Sequence, residues 1–336
     1  MAAFEIVIEI GNSQCSIYKK DGGLVLKENT LIAFTKQGKH IVVKEVGSKA
    51  REMQNKTATS VWVETPIKDG VIVNPELAEL MLSAFINKVV SRNIFGPVIH
   101  AILVTSCALT NEEKRAYELL LIKCGISVVW FVPSVISSLL GAKIDISNSK
   151  ARMIVNIGAG VTEIAAVSSN TIIDGYAIEM GGNVINSAIC KTIFDEQNVI
   201  ISDFVAEKIK VEIGSLLERD NATIEVSGVD ALTKAARNIV VYAKDIYPVI
   251  AIAYKKISDA IEIFLNGQSA DVCSDIATEG IYVCGGASKV TGLESFLKRN
   301  LMLTINILED AENLSILGGG QLLTNKEQLK TIIENN

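Results

Sequence analysis

Two short segments, Val7-Ile8-Glu9-Ile10-Gly11-Asn12-Ser13 and Val155-Asn156-Ile157-Gly158-Ala159-Gly160-Val161-Thr162-Glu163, constrain this chain more than any other feature. Each is an apolar strand that meets a polar residue, a hydrophobe and a glycine, turns through a small polar loop, and continues as a second strand (Cys15 to Tyr18; Ile164 to Val167). Glu9 and Asn156 hold equivalent places, which points to an internal duplication with one loop from each half. A glycine at a strand reversal has no Cβ, so backbone N–H groups can come close to an anion. Two such loops suit a polyphosphate gripped from both sides.

The 336 residues suffice for two ordinary domains or four small ones, and the net charge of −6, with no basic run beyond pairs such as Lys19-Lys20, argues against a general nucleic-acid binder. The six cysteines are scattered with no CxxC pair, and His40 and His100 are the only histidines, so the pattern reads as buried thiols rather than a zinc site. Met1-Ala2-Ala3 leads directly into a strand-like segment, so no leader is expected. Mean hydropathy is high at +0.34. Even so, the most apolar stretch, Ile239 to Tyr254, is broken by Lys244, Asp245 and Pro248 and falls short of the roughly 20 residues a span requires.

Val- and Ile-rich strand patterns alternate with amphipathic helical ones throughout, which predicts an α/β fold. Asn74-Pro75 predicts an N-cap followed by proline in the first turn, and Leu77, Leu80, Met81, Ala84, Phe85 and Val89 share one face of the helix that follows. Thr110-Asn111-Glu112-Glu113 predicts a capping box opening a helix to about Lys123. Ile99 to Thr105, Ile126 to Val132 and Ile281 to Cys284 read as strands, Val135 to Ala142 and Asp203 to Leu217 as helices. No Pro-, Gly- or Ser-rich linker separates the halves, so a ligand-binding cleft between them is expected.

Glu9-Ile10-Gly11-Asn12-Ser13, the Asn156 to Glu163 segment and Cys284-Gly285-Gly286-Ala287-Ser288 resemble the two phosphate loops and the adenosine motif of the actin, Hsp70 and sugar-kinase superfamily. Within it the chain is most similar to MreB, the bacterial actins. Pro66 to Ile72, Ala206 to Ser215, Ser274 to Gly280 and Leu317-Gly318-Gly319-Gly320 resemble MreB segments in the same order. The resemblance implies an actin-like ATPase fold: two similar α/β domains around a nucleotide cleft, in four subdomains. Residues 1–145 would form the first domain, with a small insert at about 31–66 and the segment from about 318 to 336 returning to it; residues 146–317 would form the second, with a small subdomain at about 181–243. It further implies that Gly11, Asn12, Ser13 and Gln14, together with Gly158, Ala159, Gly160, Val161 and Thr162, wrap the phosphates of ATP or ADP. Glu207, Lys208 and Lys210 would lie toward ribose and adenine, and Gly285, Gly286, Ala287 and Ser288 would lie against the base. Glu207 and Lys210 are three apart and share a helix face, so they can reach a common ligand or form a surface ion pair. Mg²⁺ would be held through water by Glu9 and Asn156.

Departures from the family pattern carry more information than the matches. Where the family has Asp-x-Gly-Thr, this chain has Glu9-Ile10-Gly11-Asn12; where it has Asp-x-Gly-Gly-Gly-Thr-Thr-Glu, the chain has Asn156 through Glu163. Glu9 keeps a charge on a longer arm, Asn156 removes one, and Val161 exchanges a hydroxyl for a methyl of similar shape. The family's water-orienting glutamate falls on Pro133 or Ser134, and no carboxylate occurs from Phe131 to Ala142. Positioned acid–base groups contribute about 10²–10⁴-fold to a rate, so weak ATP hydrolysis with retained phosphate binding is expected.

The resemblance implies self-association into filaments serving cell shape or motility in the cytoplasm, with sister MreB-like proteins as possible co-assembly partners and no nucleic-acid partner. A non-filament adaptor for cell division or pilus assembly is the alternative. A small-molecule kinase would need a base such as Asp69, which sits in a segment that itself resembles MreB. Asn93-Ile94-Phe95-Gly96-Pro97 puts two bulky hydrophobes at a loop tip; Ile94 and Phe95 either dip into the membrane's inner face, as similar MreB loops do, or pack beneath the loop. Replacing both with Ser is expected to lower co-sedimentation of the protein with liposomes; unchanged binding would assign them to packing.

Overall fold

The computed structural model describes residues 3–38, 40–54, 60–90 and 98–336. The chain divides into two compact units: Met1–Lys150, Ala165–Ala177 and Glu312–Asn336 form the first, Ala151–Ile164 and Ile178–Ala311 the second. Among the described residues the chain carries two five-stranded sheets.

In the first unit the sheet runs in the order Val128–Pro133, Ile99–Thr105, Phe4–Ile10, Gln14–Lys19, Gly23–Asn29. The first three strands are parallel and the last two antiparallel. Alternate side chains of Phe4–Ile10 serve two faces, as a pleat requires. Ile6 and Ile8 pack into a cluster with Leu77, Met81, Phe85 and Leu121 of the helices Pro75–Val89 and Asn111–Lys123. Both helices start where the sequence predicts: Asn74 accepts from the Leu77 N–H, and Thr110 and Glu113 complete a capping box.

Val7 faces the other way, toward Gly319 of the helix Leu314–Leu322, which packs on the helix Ser134–Gly141. Here the backbones touch. A Cβ on Gly318 would lie 1.7 Å from the Ser137 carbonyl oxygen, and one on Gly141 would lie 2.1 Å from that of Leu314. The Leu317 to Gly320 motif is thus a packing requirement whatever else it does.

The other five-stranded sheet has the corresponding order: Ile305–Ile307, Ile281–Cys284, Arg152–Ile157, Thr162–Ser168, Thr171–Ile178. Ile281–Cys284 runs parallel to both its neighbours. Repetition of one strand order agrees with the repeat read from the loops. The apolar stretch Ile239 to Tyr254 is the end of the strand Ala236–Tyr242 and the start of the helix Ala243–Asn266. Among the described residues no helix is long and apolar enough to cross a membrane.

The helix expected from Asp203 to Leu217 stops at Ile213. At Gly214 the backbone turns extended with its Cα hydrogens against the Lys210 carbonyl, where a Cβ would come within 2.2 Å. Ser215 then bridges Thr291, and the Leu216 N–H donates to the Thr291 carbonyl at 2.8 Å. Tertiary pairing overrides helical periodicity at that point.

Gly318→Ala has no room for its methyl without separating two helices, so we expect a loss of about 3 kcal/mol or more. Thermal unfolding of the purified variant checks this.

Candidate functional site

The two loops have one construction. In the first, the Gly11 N–H donates to the Gln14 carbonyl at 2.9 Å; in the second, the Gly158 N–H donates to the Val161 carbonyl at 2.9 Å. Each pair closes a two-residue turn, Asn12-Ser13 or Ala159-Gly160. The turn carbonyls are then tied from behind. Thr30 donates its hydroxyl to the Gly11 carbonyl (2.7 Å) and its N–H to that of Ser13 (3.0 Å). In the second loop, the Gly182 and Asn183 N–H groups donate to the Gly158 and Ala159 carbonyls at 3.0 and 2.8 Å. Gly181 permits this approach, since a Cβ there would lie 2.7 Å from both carbonyl oxygens. The N–H groups of Asn12, Ser13, Ala159 and Gly160 donate to no described residue. A turn whose carbonyls are occupied and whose amides are not presents a concentration of positive dipole ends, the arrangement that binds phosphate.

Around the first loop, both polar atoms of the Asn12 side chain have a protein partner. Its Nδ2 donates to Asp69 Oδ1 at 2.8 Å, and its Oδ1 accepts from the Gly70 N–H at 3.1 Å. Asp69 and Gly70, at φ of 50° and 78°, form the tight turn between Ile67–Lys68 and Val71–Ile72. Buried Tyr117 donates to the Gly70 carbonyl at 2.9 Å, and burial raises its hydroxyl above the ordinary phenol range. These bonds fix the orientation of the Asn12 amide beside the turn. Glu9 accepts from the Ser315 hydroxyl. Pro133 ends its strand beside Thr105, and buried Ser134 opens the helix Ser134–Gly141.

Around the second loop, Asn156 Nδ2 donates to Glu163 Oε2 at 3.2 Å, and Glu163 is only 4% exposed. Buried Thr162 donates its hydroxyl to the Met180 carbonyl at 2.6 Å. Lys210 Nζ donates to the Gly182 carbonyl at 3.0 Å, placing it directly behind the loop, whereas Lys208 is exposed and pairs with Glu212 at 3.9 Å. Gly285, at φ 90°, presses on the Ile157 carbonyl and Asn156 Oδ1, where a Cβ would come within 2.3 and 2.5 Å. Ser288 spends its hydroxyl on the Gly285 carbonyl at 2.7 Å, and Ala287 accepts from the Tyr254 hydroxyl. Gly286 is exposed, with open space where a Cβ would be.

The second unit thus brings Asn156, Gly158 to Gly160, Lys210 and Gly285 together, and turns Lys208 away from them. Glu207, half-buried, lies one turn before Lys210 on the same helix. Ile94 and Phe95 lie outside the described residues. Sequence reasoning missed Thr30, Ser315 and Gly182 as supports; the adjacency of Ser315 to the Leu317 to Gly320 motif was the available signal for one of them.

Residues 3–331 match the MreB/Mbl protein family. The chain belongs to that family. Mbl of Bacillus subtilis, a cell shape-determining protein, is 27% identical over 330 residues, covering 98% of each chain. MreB of Pasteurella multocida is 28% identical over 95% of this chain and 92% of its own. Among solved structures, MreB 5 of Spiroplasma citri bound to AMPPNP superposes with a TM-score of 0.91 at 26% identity, covering 98% of this chain and 99% of that one. A MamK double helical filament gives 0.78 at 17% identity over 95% and 99%, a likeness of fold. The fold is the actin-like one shared by MreB and MamK.

Asn156→Asp in this MreB/Mbl chain sets a second carboxylate against buried Glu163. We expect a loss of about 1–3 kcal/mol at neutral pH without ligand. Repulsion makes the folded state bind a proton more readily than the unfolded state, so the loss shrinks as pH falls toward about 5. Melting temperatures of wild type and variant across pH test this.

Proposed function

We propose that this chain is an actin-like cytoskeletal protein that binds ATP and ADP, assembles with copies of itself into filaments, and hydrolyses ATP slowly. The observation that carries the reading is the pair of turns with tied carbonyls and outward amides. Support comes from MreB 5 of Spiroplasma citri, solved with AMPPNP and with ADP, and from the filament described for MamK.

In this reading the backbone N–H groups of Asn12 and Ser13, and those of Ala159 and Gly160, are each a donor set suited to phosphate. Lys210, fixed behind the second loop, adds positive charge on the nucleoside side with Glu207, and Gly286 leaves room for the base. Thr162 and Ser288 support the site through their backbone neighbours, since their hydroxyls are already engaged.

The donor chemistry suits Mg²⁺. Glu9 carries a hard carboxylate oxygen and Asn156 a neutral amide oxygen, the two side chains that the resemblance assigns to the ion. That suits an ion held mainly by phosphate and water rather than by a protein cage. Bound there, Mg²⁺ would neutralise phosphate charge.

Hydrolysis needs a water held in line and a group to take its proton. The Val161 side chain cannot hydrogen-bond a water, and neither Pro133 nor Ser134 is a carboxylate. Loss of such groups removes about 10²–10⁴-fold. Filaments of this protein would accordingly persist in the ATP-bound form, in the cytoplasm or against the inner face of the membrane, or turn over with help from sister MreB-like chains.

Phosphate release with Mg-ATP, run beside negative-stain microscopy, tests the proposal. Filaments with slow release are expected, and Ser134→Glu with Val161→Thr should raise release by roughly tenfold or more. Fast release by wild type would defeat the weak-hydrolysis reading. Absence of filaments with every nucleotide would favour a non-filament adaptor.

A further inference from the structure

We propose that Ser315 is a positioning residue for Glu9, fixing its carboxylate for a nucleotide-bound divalent cation; this rests on the nucleotide reading above. Glu9 carries one more rotatable bond than the aspartate it replaces, and an unrestrained arm would sample orientations that take its charge away from the phosphates. The Ser315 hydroxyl donates to Glu9 Oε1, a charge-assisted bond that selects among those orientations.

Ser315 is itself held from two directions. Its carbonyl accepts the hydroxyl of Ser137 at 2.6 Å, and Ser137 is fully buried. The helix carrying it cannot slide, because Gly318 abuts the Ser137 carbonyl and Gly141 abuts that of Leu314. Ser315 is 6% exposed, so water does not compete freely for the hydroxyl. The chain Ser137, Ser315, Glu9 thus runs from the helix after the Val128–Pro133 strand to the mouth of the first loop, all within the first unit. A longer acid and a hydroxyl that reaches it form a matched pair: the hydroxyl supplies the restraint that the added methylene removes.

The test is a double-mutant cycle on the full-length chain. Affinity for AMPPNP is measured by displacement of a fluorescent ATP analogue over a Mg²⁺ titration, for wild type, Ser315→Ala, Glu9→Asp and the double variant, with melting temperatures recorded without nucleotide. Ser315→Ala alone should raise the Mg²⁺ midpoint by about three- to tenfold and leave Mg²⁺-free affinity unchanged. On the Glu9→Asp background, whose shorter acid does not reach the hydroxyl, Ser315→Ala should leave the midpoint where it is. Equal shifts in both backgrounds would make Ser315 merely structural and overturn the proposal, as would an unchanged midpoint in Ser315→Ala. Wild type that binds no nucleotide at any Mg²⁺ concentration would bring down the nucleotide reading and this proposal together. Binding with unaltered midpoints would bring down this proposal alone.

Discussion

A reversal of two residues between strands cannot satisfy its own backbone: its amides and carbonyls must find partners elsewhere or in water. Both loops solve half of that problem. Thr30 closes two carbonyls of the first, and Gly182 and Asn183 close two of the second, while the turn amides meet no acceptor among the described residues. Much of the surrounding architecture follows. Gly181 must be glycine because a side chain would strike the carbonyls being capped. The helix Gly182–Gln197 must begin there because its first N–H groups are the caps. Gly11 and Gly158 sit where a turn closes on the residue three ahead, with Cβ positions 3.1 and 3.0 Å from the carbonyls of Gln14 and Val161.

Replaced side chains in this chain have acquired protein partners. Asn12 is held by Asp69 and Gly70, Glu9 by Ser315, and Asn156 donates to Glu163. The last exchange removes a charge that would otherwise face a buried carboxylate, which is expected to favour the folded chain without any ligand. Val161 and Ser134 differ in kind. In the proposed function neither side chain supplies the chemistry that the resemblance assigns to its family counterpart.

Local signals were legible because their physics is local. The Asn74-Pro75 start, the Thr110 to Glu113 capping box and the buried strands Ile99–Thr105 and Ile281–Cys284 are each decided by a few consecutive residues. Glycines of both loops were legible as backbone positions for the same reason. What escaped is set by distant partners. The helix from Asp203 ends early because Ser215 bridges Thr291, and no window of periodicity contains both. Ser315 meets Glu9 across 306 positions of sequence. The Thr162 hydroxyl faces Met180 although the motif alone would turn it to a ligand. Lys208 and Lys210 differ only in helical phase, and the exposure of Lys208 separates them.

In the proposed function, binding and cutting would draw on different parts of the chain. Phosphate would be held by main-chain N–H groups, which survive substitution as long as the turn geometry survives, and that geometry is enforced by glycines and capped carbonyls. In-line attack depends on particular side-chain oxygens, any of which can be lost while the core stays packed: Ser134 is 5% exposed in a well-formed helix with no carboxylate near it in sequence. Substitution therefore erodes hydrolysis before it erodes binding. A filament protein can bear that asymmetry better than a metabolic enzyme, because the bound nucleotide stabilises a conformation whether or not it is consumed. Glu9 marks the boundary between the two parts: it is a side chain, but one that packed helices hold in place, so its contribution should follow the durability of the fold.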